Sequence, residues 1–355
     1  MNAGGAETFL MKIYRSIDKT KYQFDFAVAS KGKCFYDEEI LSYGGNIYHI
    51  TPKSKSFFKN FRDIRKLVKR NNYNSVLRIS QHSLSSLELL AAWQGGAKIR
   101  VFRSSNSNTT TGSKTSRFFH KMFLFGPLLF SNVRIAPSIE AAKYMFGKNC
   151  IKKSRAIVVK NGIDLSVFCY SQIDRTNIRK ELNLENSFVV GHIGRFNQQK
   201  NHLFLIRVFA EIKKIKKNAK LLLVGKGEKE NEILAAINDY GLTDSVVFAG
   251  VRADVPAILS AMDVFVFPSL YEGLPNVVIE AQACGLHCVV SDSITKEAKI
   301  TEFVDYLSLS ESPEKWAKKA VQNNSLRLSP ISEIKNSGYD IDSSASLFLK
   351  LVFKE

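Results

Sequence analysis

The sequence predicts an α/β protein built from two doubly wound parallel sheets with helices on their faces. Three observations predict it. A chain of 355 residues is long enough for two domains of ordinary size, each with its own core. In both halves, short runs rich in β-branched and aromatic residues take turns with helix-period stretches, the alternation that parallel strands and their crossovers require. Between the halves, residues 157–164 (IVVKNGID) read as a strand followed by an Asn-Gly turn, which places a domain boundary near residue 160.

In the first half, strands are expected over 24–29, 76–79, 99–102 and 133–136. Helices are expected over 57–69, 85–93 and 6–17, the last with Phe9, Leu10, Ile13 and Tyr14 on one face. The second half gives strands over 188–193, 221–224, 246–249, 264–267 and 287–291. Asn201 is expected to cap a helix that turns Leu205, Ile206, Val208, Phe209 and Ile212 to a core, with Lys213, Lys214, Lys216 and Lys217 at its negative end. A further helix is expected through Glu297.

With 45% hydrophobic and 24% charged residues, the composition excludes a disordered chain. Five cysteines without close paired spacing argue for a reduced, cytoplasmic protein. Cys284, His287 and Cys288 are too few for a zinc site, which needs about four ligands. The polar, Gly-rich opening MNAGGAE does not read as a signal peptide. The most apolar stretch, 118–130 (FFHKMFLFGPLLF), is too short to span a bilayer. It reads as a core helix, with an amphipathic surface that touches lipid as the alternative.

The formal charge of +18 is unevenly placed: residues 1–150 hold 24 Lys and Arg against 9 Asp and Glu, a net of +15. The first half is therefore expected to meet an anionic surface: a membrane leaflet, an anionic glycan or a nucleic acid. No nucleic-acid motif accompanies the charge, so nucleic acid is not an expected partner. Scattered, solvated lysines are the bland alternative.

Residues 263–285 (DVFVFPSLYEGLPNVVIEAQACG) carry the chemistry. A buried strand ends at Pro268 and Ser269, and Gly273 with Pro275 opens a helix, with proline expected at its first position. The free amides of that first turn, backed by the helix dipole, suit a phosphate or a sugar hydroxyl. Glu272 before the helix and Glu280 within it bracket that site.

The setting PSxxEGxPxxxxEAxAxG resembles the signature of the retaining glycosyltransferases of family 4, in the branch that builds polysaccharides. The resemblance implies a GT-B fold, two Rossmann-like domains facing a cleft. An N-terminal acceptor domain would cover 1–160 and a nucleotide-sugar donor domain 161–339, with a helix over 340–355 crossing back to the first domain. It also implies transfer of a sugar, without metal or cofactor, from a nucleotide-diphosphate donor to a saccharide or lipid-linked saccharide. Capsule, exopolysaccharide or O-antigen biosynthesis is the implied setting, in the cytoplasm or at the inner face of the plasma membrane.

Residue by residue, Arg195 and Lys200 in GRFNQQK match the pair that holds the diphosphate, Glu272 the residue that meets the donor sugar, and Glu280 the one that holds the ribose. Gly194, Gly250, Gly273, Leu274, Pro275 and Asn276 would line the donor. On the acceptor side, Gly4 and Gly5 match a Gly-Gly loop that normally follows a first strand. That strand is missing here, and an upstream start adding about ten residues is expected. Residues 103–106 read RSSN where many relatives have a pattern like HSHN. That departure removes a histidine base and offers Arg103 either as a clamp for an acceptor phosphate or carboxylate, beside Asn106, or as a strand-end arginine that pairs with a surface acid. Asp340 and Asp342 have a DxD spacing, but residues 343–351 read as a helix that these aspartates start. The competing functions are a nucleotide-sugar epimerase, a basic nucleic-acid-binding protein and a truncated inactive homologue.

Overall fold

In the computed structural model of the protein, residues 5–30, 32–105, 114–322, 327 and 329–353 are described. The chain divides into two compact units, Met1–Gly162 with Gly338–Glu355, and Ile163–Ser337. All strand pairings among the described residues are parallel.

In the first unit, β1 (Phe26–Val28) pairs with β2 (Ile47–His49). A separate sheet runs in the order β3 (Ser75–Ser80), β4 (Ile99–Ser104), β5 (Val133–Ala136), β6 (Ile157–Val158). β2 was not expected, because three partly exposed residues are too short to show an alternation. The helices Gly5–Ser16 and Ile341–Phe353 pack on each other and on this sheet. Phe9 meets Phe348 edge to face at 5.7 Å, and the Ser75 hydroxyl donates to the Val352 carbonyl at 2.7 Å. Asp340 accepts from the Ser343 amide at 3.1 Å, so this carboxylate starts the last helix.

The stretch 118–130 departs from the core helix first read there. It forms two short helices, Lys114–Met122 and Phe125–Phe130, broken before the buried pair Gly126 and Pro127. The residue of the first helix that turns inward is His120, stacked on Tyr144 at 4.7 Å, while Phe118, Phe119, Met122, Phe125 and Leu129 are exposed. With histidine on the inner face, the phenylalanines beside it in sequence are turned outward.

The second unit is a six-stranded sheet in the order β12-β11-β10-β7-β8-β9. Its strands are β7 (Phe188–Ile193), β8 (Ala219–Val224), β9 (Val246–Gly250), β10 (Val264–Phe267), β11 (Cys288–Ser291) and β12 (Val304–Leu307). The chain enters at the centre, builds outward to β9, then returns to the other side of β7. Apolar clusters cover both faces: Leu222, Phe265, Phe267 and Val278 on one, Val190, Phe209, Leu221 and Trp316 on the other. β12 was not expected because Asp305 and Tyr306 interrupt its apolar run at the sheet edge. The helix expected through Glu297 is a single 3-10 turn, Lys296–Ala298. At the amino end of β10, Asp263 binds Arg175 at 2.5 Å, Arg179 at 2.6 Å and the Val189 amide at 2.7 Å, tying the helix Gln172–Glu181 to the sheet.

Candidate active site

Strand order in the second unit reverses between β7 and β10. The connections there leave in opposite directions, and the carboxyl ends of those two strands border the crevice where open α/β sheets take their ligands. Residues 194–201 follow β7 and residues 268–275 follow β10, so the topology brings together two motifs about 70 residues apart.

The two loops are stitched by their backbones. The Leu270 amide donates to the Gln199 carbonyl at 2.8 Å, and the Gln199 side chain donates to the Tyr271 carbonyl at 2.9 Å. Asn201, expected as a helix cap, makes no capping bond: it is left-handed (φ 56°), and its side-chain amide donates to the Pro268 carbonyl at 3.2 Å. Asn197 does the capping instead, accepting from the Lys200 amide at 3.1 Å and closing the turn Gln198–Lys200.

This framework sets the Lys200 ammonium 2.7 Å from a Glu272 carboxylate oxygen and 4.4 Å over the Phe267 ring. The two side chains are only 16% and 11% exposed, so the pair sits in a partly desolvated setting where charge counts for more than in water. Gly194 lies against the lysine stem: a Cβ there would stand 3.0 Å from Lys200 Cε. The residues read separately as diphosphate and sugar ligands thus form one ion pair. Arg195 points outward to Glu228, 3.1 Å away. Glu228 is held below the ordinary carboxylate range first by its own backbone amide and then by Arg195.

Gly194, Gly225 and Gly250 line up where β7, β8 and β9 end. The Gly194 amide donates to Val224 at 2.9 Å and the Gly225 amide to Gly250 at 2.7 Å. Gly225 and Gly250 have φ of +137° and +65°, and a Cβ on Gly225 would lie 2.1 Å from the Gly194 carbonyl oxygen. At Gly250 nothing lies within 4 Å of a Cβ position, so the end of β9 is bare backbone that a flat or anionic ligand can approach.

Pro275 is the cap of the helix Asn276–Ala283, not its first residue as expected, and its side chain makes no capping bond. The helix therefore opens beside Gly273 and Leu274 without a side-chain acceptor of its own at the cap. Asn276 and Glu280, a turn apart on this helix, are both partly exposed.

Behind the lysine lie two buried histidines that the sequence reading assigned no role. His192 Nδ1 donates to the Val266 carbonyl (2.9 Å), and the ring meets His202 at a ring distance of 4.7 Å. Burial first, and the Lys200 ammonium after it, hold His202 down at about 4. Burial and then His202 push His192 well below its ordinary value. Gln199 and Glu228 were also missed, and Asn201 was expected only as a cap; of the first two, Glu228 alone, in the GKGE that follows a strand, carried a local signal.

In the first unit, Arg103 is 2% exposed. Its guanidinium lies 3.6 Å over the Phe9 ring and donates to Asn161 at 2.5 Å, and burial brings it down to about 9. Its charge is held inside the unit and not presented at a surface, which corrects the expected clamp. Gly5 begins its helix with nothing within 4 Å of a Cβ position, so no crowding requires glycine there. Gly4 and Asn106 lie outside the described residues.

The family described as glycosyl transferases group 1 matches residues 187–323, the span that holds both loops. EpsF of Bacillus subtilis (strain 168), assigned as a glycosyltransferase, is 35% identical over 323 residues, covering 89% of this chain and 84% of its own length. An Escherichia coli enzyme, UDP-Gal:alpha-D-GlcNAc-diphosphoundecaprenol alpha-1,3-galactosyltransferase, is 38% identical over 157 residues, 40% of this chain and 39% of that one. The crystal structure of Anabaena Alr3699/HepE in complex with UDP and glucose shares the fold with a TM-score of 0.77 at 19% identity, covering 99% of this chain and 96% of that one. With the two motif loops joined at the switch point and a relative matched along most of both chains, the protein belongs to the glycosyl transferases group 1 family and has the GT-B fold.

Proposed function

We propose that this glycosyltransferase moves a sugar, with retention of configuration, from a nucleotide-diphosphate donor to a lipid-linked saccharide in the assembly of a capsule, exopolysaccharide or O-antigen. The observation that carries the reading is the Lys200–Glu272 pair at the crevice between β7 and β10. Transfer expels a nucleoside diphosphate, whose phosphate oxygens gain negative charge as the bond to the sugar breaks. Lys200 supplies fixed positive charge there, Arg195 adds its own by turning from Glu228 to the phosphates, and the opening turn of the helix Asn276–Ala283 adds amides. Glu272 orients the lysine and accepts from donor sugar hydroxyls, while Glu280 accepts from the ribose. The bare edge at Gly250 takes the nucleoside.

In the bond exchange, the sugar carbon loses its diphosphate oxygen and gains the acceptor oxygen on the same face. The acceptor proton passes to the departing phosphate, so no side-chain base is required. A lipid-linked acceptor agrees with the diphosphoundecaprenol acceptor named for the E. coli relative, and a UDP donor with the ligand in HepE. The basic first unit is assigned to the acceptor and to peripheral contact with the inner face of the plasma membrane; no helix among the described residues is long and apolar enough to cross one.

Thermal-shift titration with uridine, guanosine and adenosine diphosphates and their sugars tests this. One nucleotide family is expected to stabilise the protein, by about 2.7 kcal/mol at a hundred times Kd, and Lys200→Ala and Glu280→Ala to lose the effect. No shift with any nucleotide would remove the donor site, and an inverted anomer in the product by NMR would remove retention.

A further inference from the structure

The structure assigns a membrane-inserting face to the first unit, made by three elements that converge on one turn. That turn is Ser83–Ser86, at the carboxyl end of β3. The helix Lys114–Met122 is bound to it through His120: the Ser83 amide donates to His120 Nδ1 at 3.0 Å and the Ser83 hydroxyl to the His120 carbonyl at 2.8 Å. The helix Phe125–Phe130 lies so close that a Cβ on Gly126 would stand 2.6 Å from Ser86 Oγ. The segment leading into the helix Phe57–Arg70 is held by Lys53, 3.3 Å from Ser85 Oγ and 2.7 Å from Glu88.

Each of these elements turns large apolar side chains to solvent. Phe58 is 85% exposed and Phe118 62%, and Phe119, Met122, Phe125 and Leu129 are exposed beside them. Phe57 and Phe58 touch at a ring distance of 5.8 Å, as do Phe118 and Phe119. Single exposed apolar residues are ordinary, but this many anchored around one turn form a patch that water does not favour.

Charge selects the occupant. The stretches 53–62 and 114–130 contain no Asp or Glu, while Lys55, Lys59, Arg62, Arg117 and Lys121 lie exposed among the phenylalanines. Aromatic rings flanked by cations with no acid between them are what an anionic bilayer surface takes: rings enter the headgroup and acyl boundary, and the ammonium and guanidinium groups stay at the phosphates. The inference rests on the membrane-borne acceptor proposed above, and it names the residues that bring the enzyme to that acceptor.

Flotation of the whole protein with vesicles tests it without any donor or acceptor, so it succeeds or fails independently of the transfer reading. The protein is expected to float with vesicles of phosphatidylcholine mixed with phosphatidylglycerol, and far less with phosphatidylcholine alone. The variant F58S/F118S/F119S is expected to lower partitioning about ten-fold or more, since burial of one such ring is worth about that factor. K59E/R117E/K121E is expected to abolish the preference for the anionic lipid. Both variants should keep the melting temperature of the parent, because the altered side chains are solvent-exposed. Absence of flotation, or flotation unchanged in both variants, overturns the assignment. So does self-association of the parent that the serine variant abolishes, which would give the face to a second copy of the chain.

Discussion

Lys200 and Glu272 show how a residue acquires its function from its partner. Neither side chain has much water around it, so removing one leaves the other charged, half-desolvated and unpaired. Lys200→Met and Glu272→Gln are each expected to cost about 2 kcal/mol, below the 3–5 kcal/mol of fully buried pairs. In a denaturant double-mutant cycle the double variant should be more stable than the sum of the singles predicts, by about 1 kcal/mol or more. Additive losses would mean that the two charges act apart. His202 gives a second test. Its folded pKa lies below its unfolded one, so above pH 6.5 it is neutral in both states and adds no pH dependence. Between there and about 4, only the unfolded chain takes up the proton, and stability falls as the pH falls. The full loss is about 3 kcal/mol. His202→Leu should flatten the decline of melting temperature between pH 6.5 and pH 4 relative to the parent; parallel curves would show that this ring does not titrate on unfolding.

At the scale of elements, the site depends on how β7, β8 and β9 end. Glycine stands at or just after the end of three neighbouring strands, and the amide of one serves the carbonyl of the next strand's end. Gly225→Ala meets two penalties together, a left-handed-side φ and a contact with backbone oxygen that no rotamer relieves. It is expected to destabilise the protein by about 2 kcal/mol or more and to abolish nucleotide-dependent thermal shifts. Gly194→Ala meets only the flexible lysine stem, so stability should change little while donor affinity falls, as titration would show. The contrast separates strain in an element from displacement of one side chain. The same scale explains why the stretch 118–130 reads poorly from sequence. An apolar run predicts burial, and here a single histidine takes the inner position that Ser83 and Tyr144 prepare for it.

For the whole molecule, the last helix matters out of proportion to its length. Residues Ile341–Phe353 are the far end of the chain, yet they pack into the core of the first unit, where Phe348 is fully buried against Phe9 and Phe24. Phe348→Ala is expected to cost about 3–5 kcal/mol, read as a lower denaturation midpoint; a cost under about 1 kcal/mol would show that this helix contributes little to the core. No local signal marks such a contact, since it joins residues more than 300 apart in sequence. The sequence alone determined the class of fold, most strands of the three sheets and the two motifs after β7 and β10. Period and turn chemistry are local, and they write themselves into neighbouring residues. The edge strands β2 and β12 were not legible, because their residues are mostly half-exposed and leave no apolar run, so pairing and not pattern makes the strand. Nor did the sequence show that Lys200 and Glu272 are one ion pair, that Arg103 is buried under Phe9, or that Phe58, Phe118, Phe119, Met122, Phe125 and Leu129 stand exposed. Those facts were decided by tertiary structure, because the order in which strands join a sheet and the face a helix turns inward depend on contacts between distant residues, which no window of sequence contains.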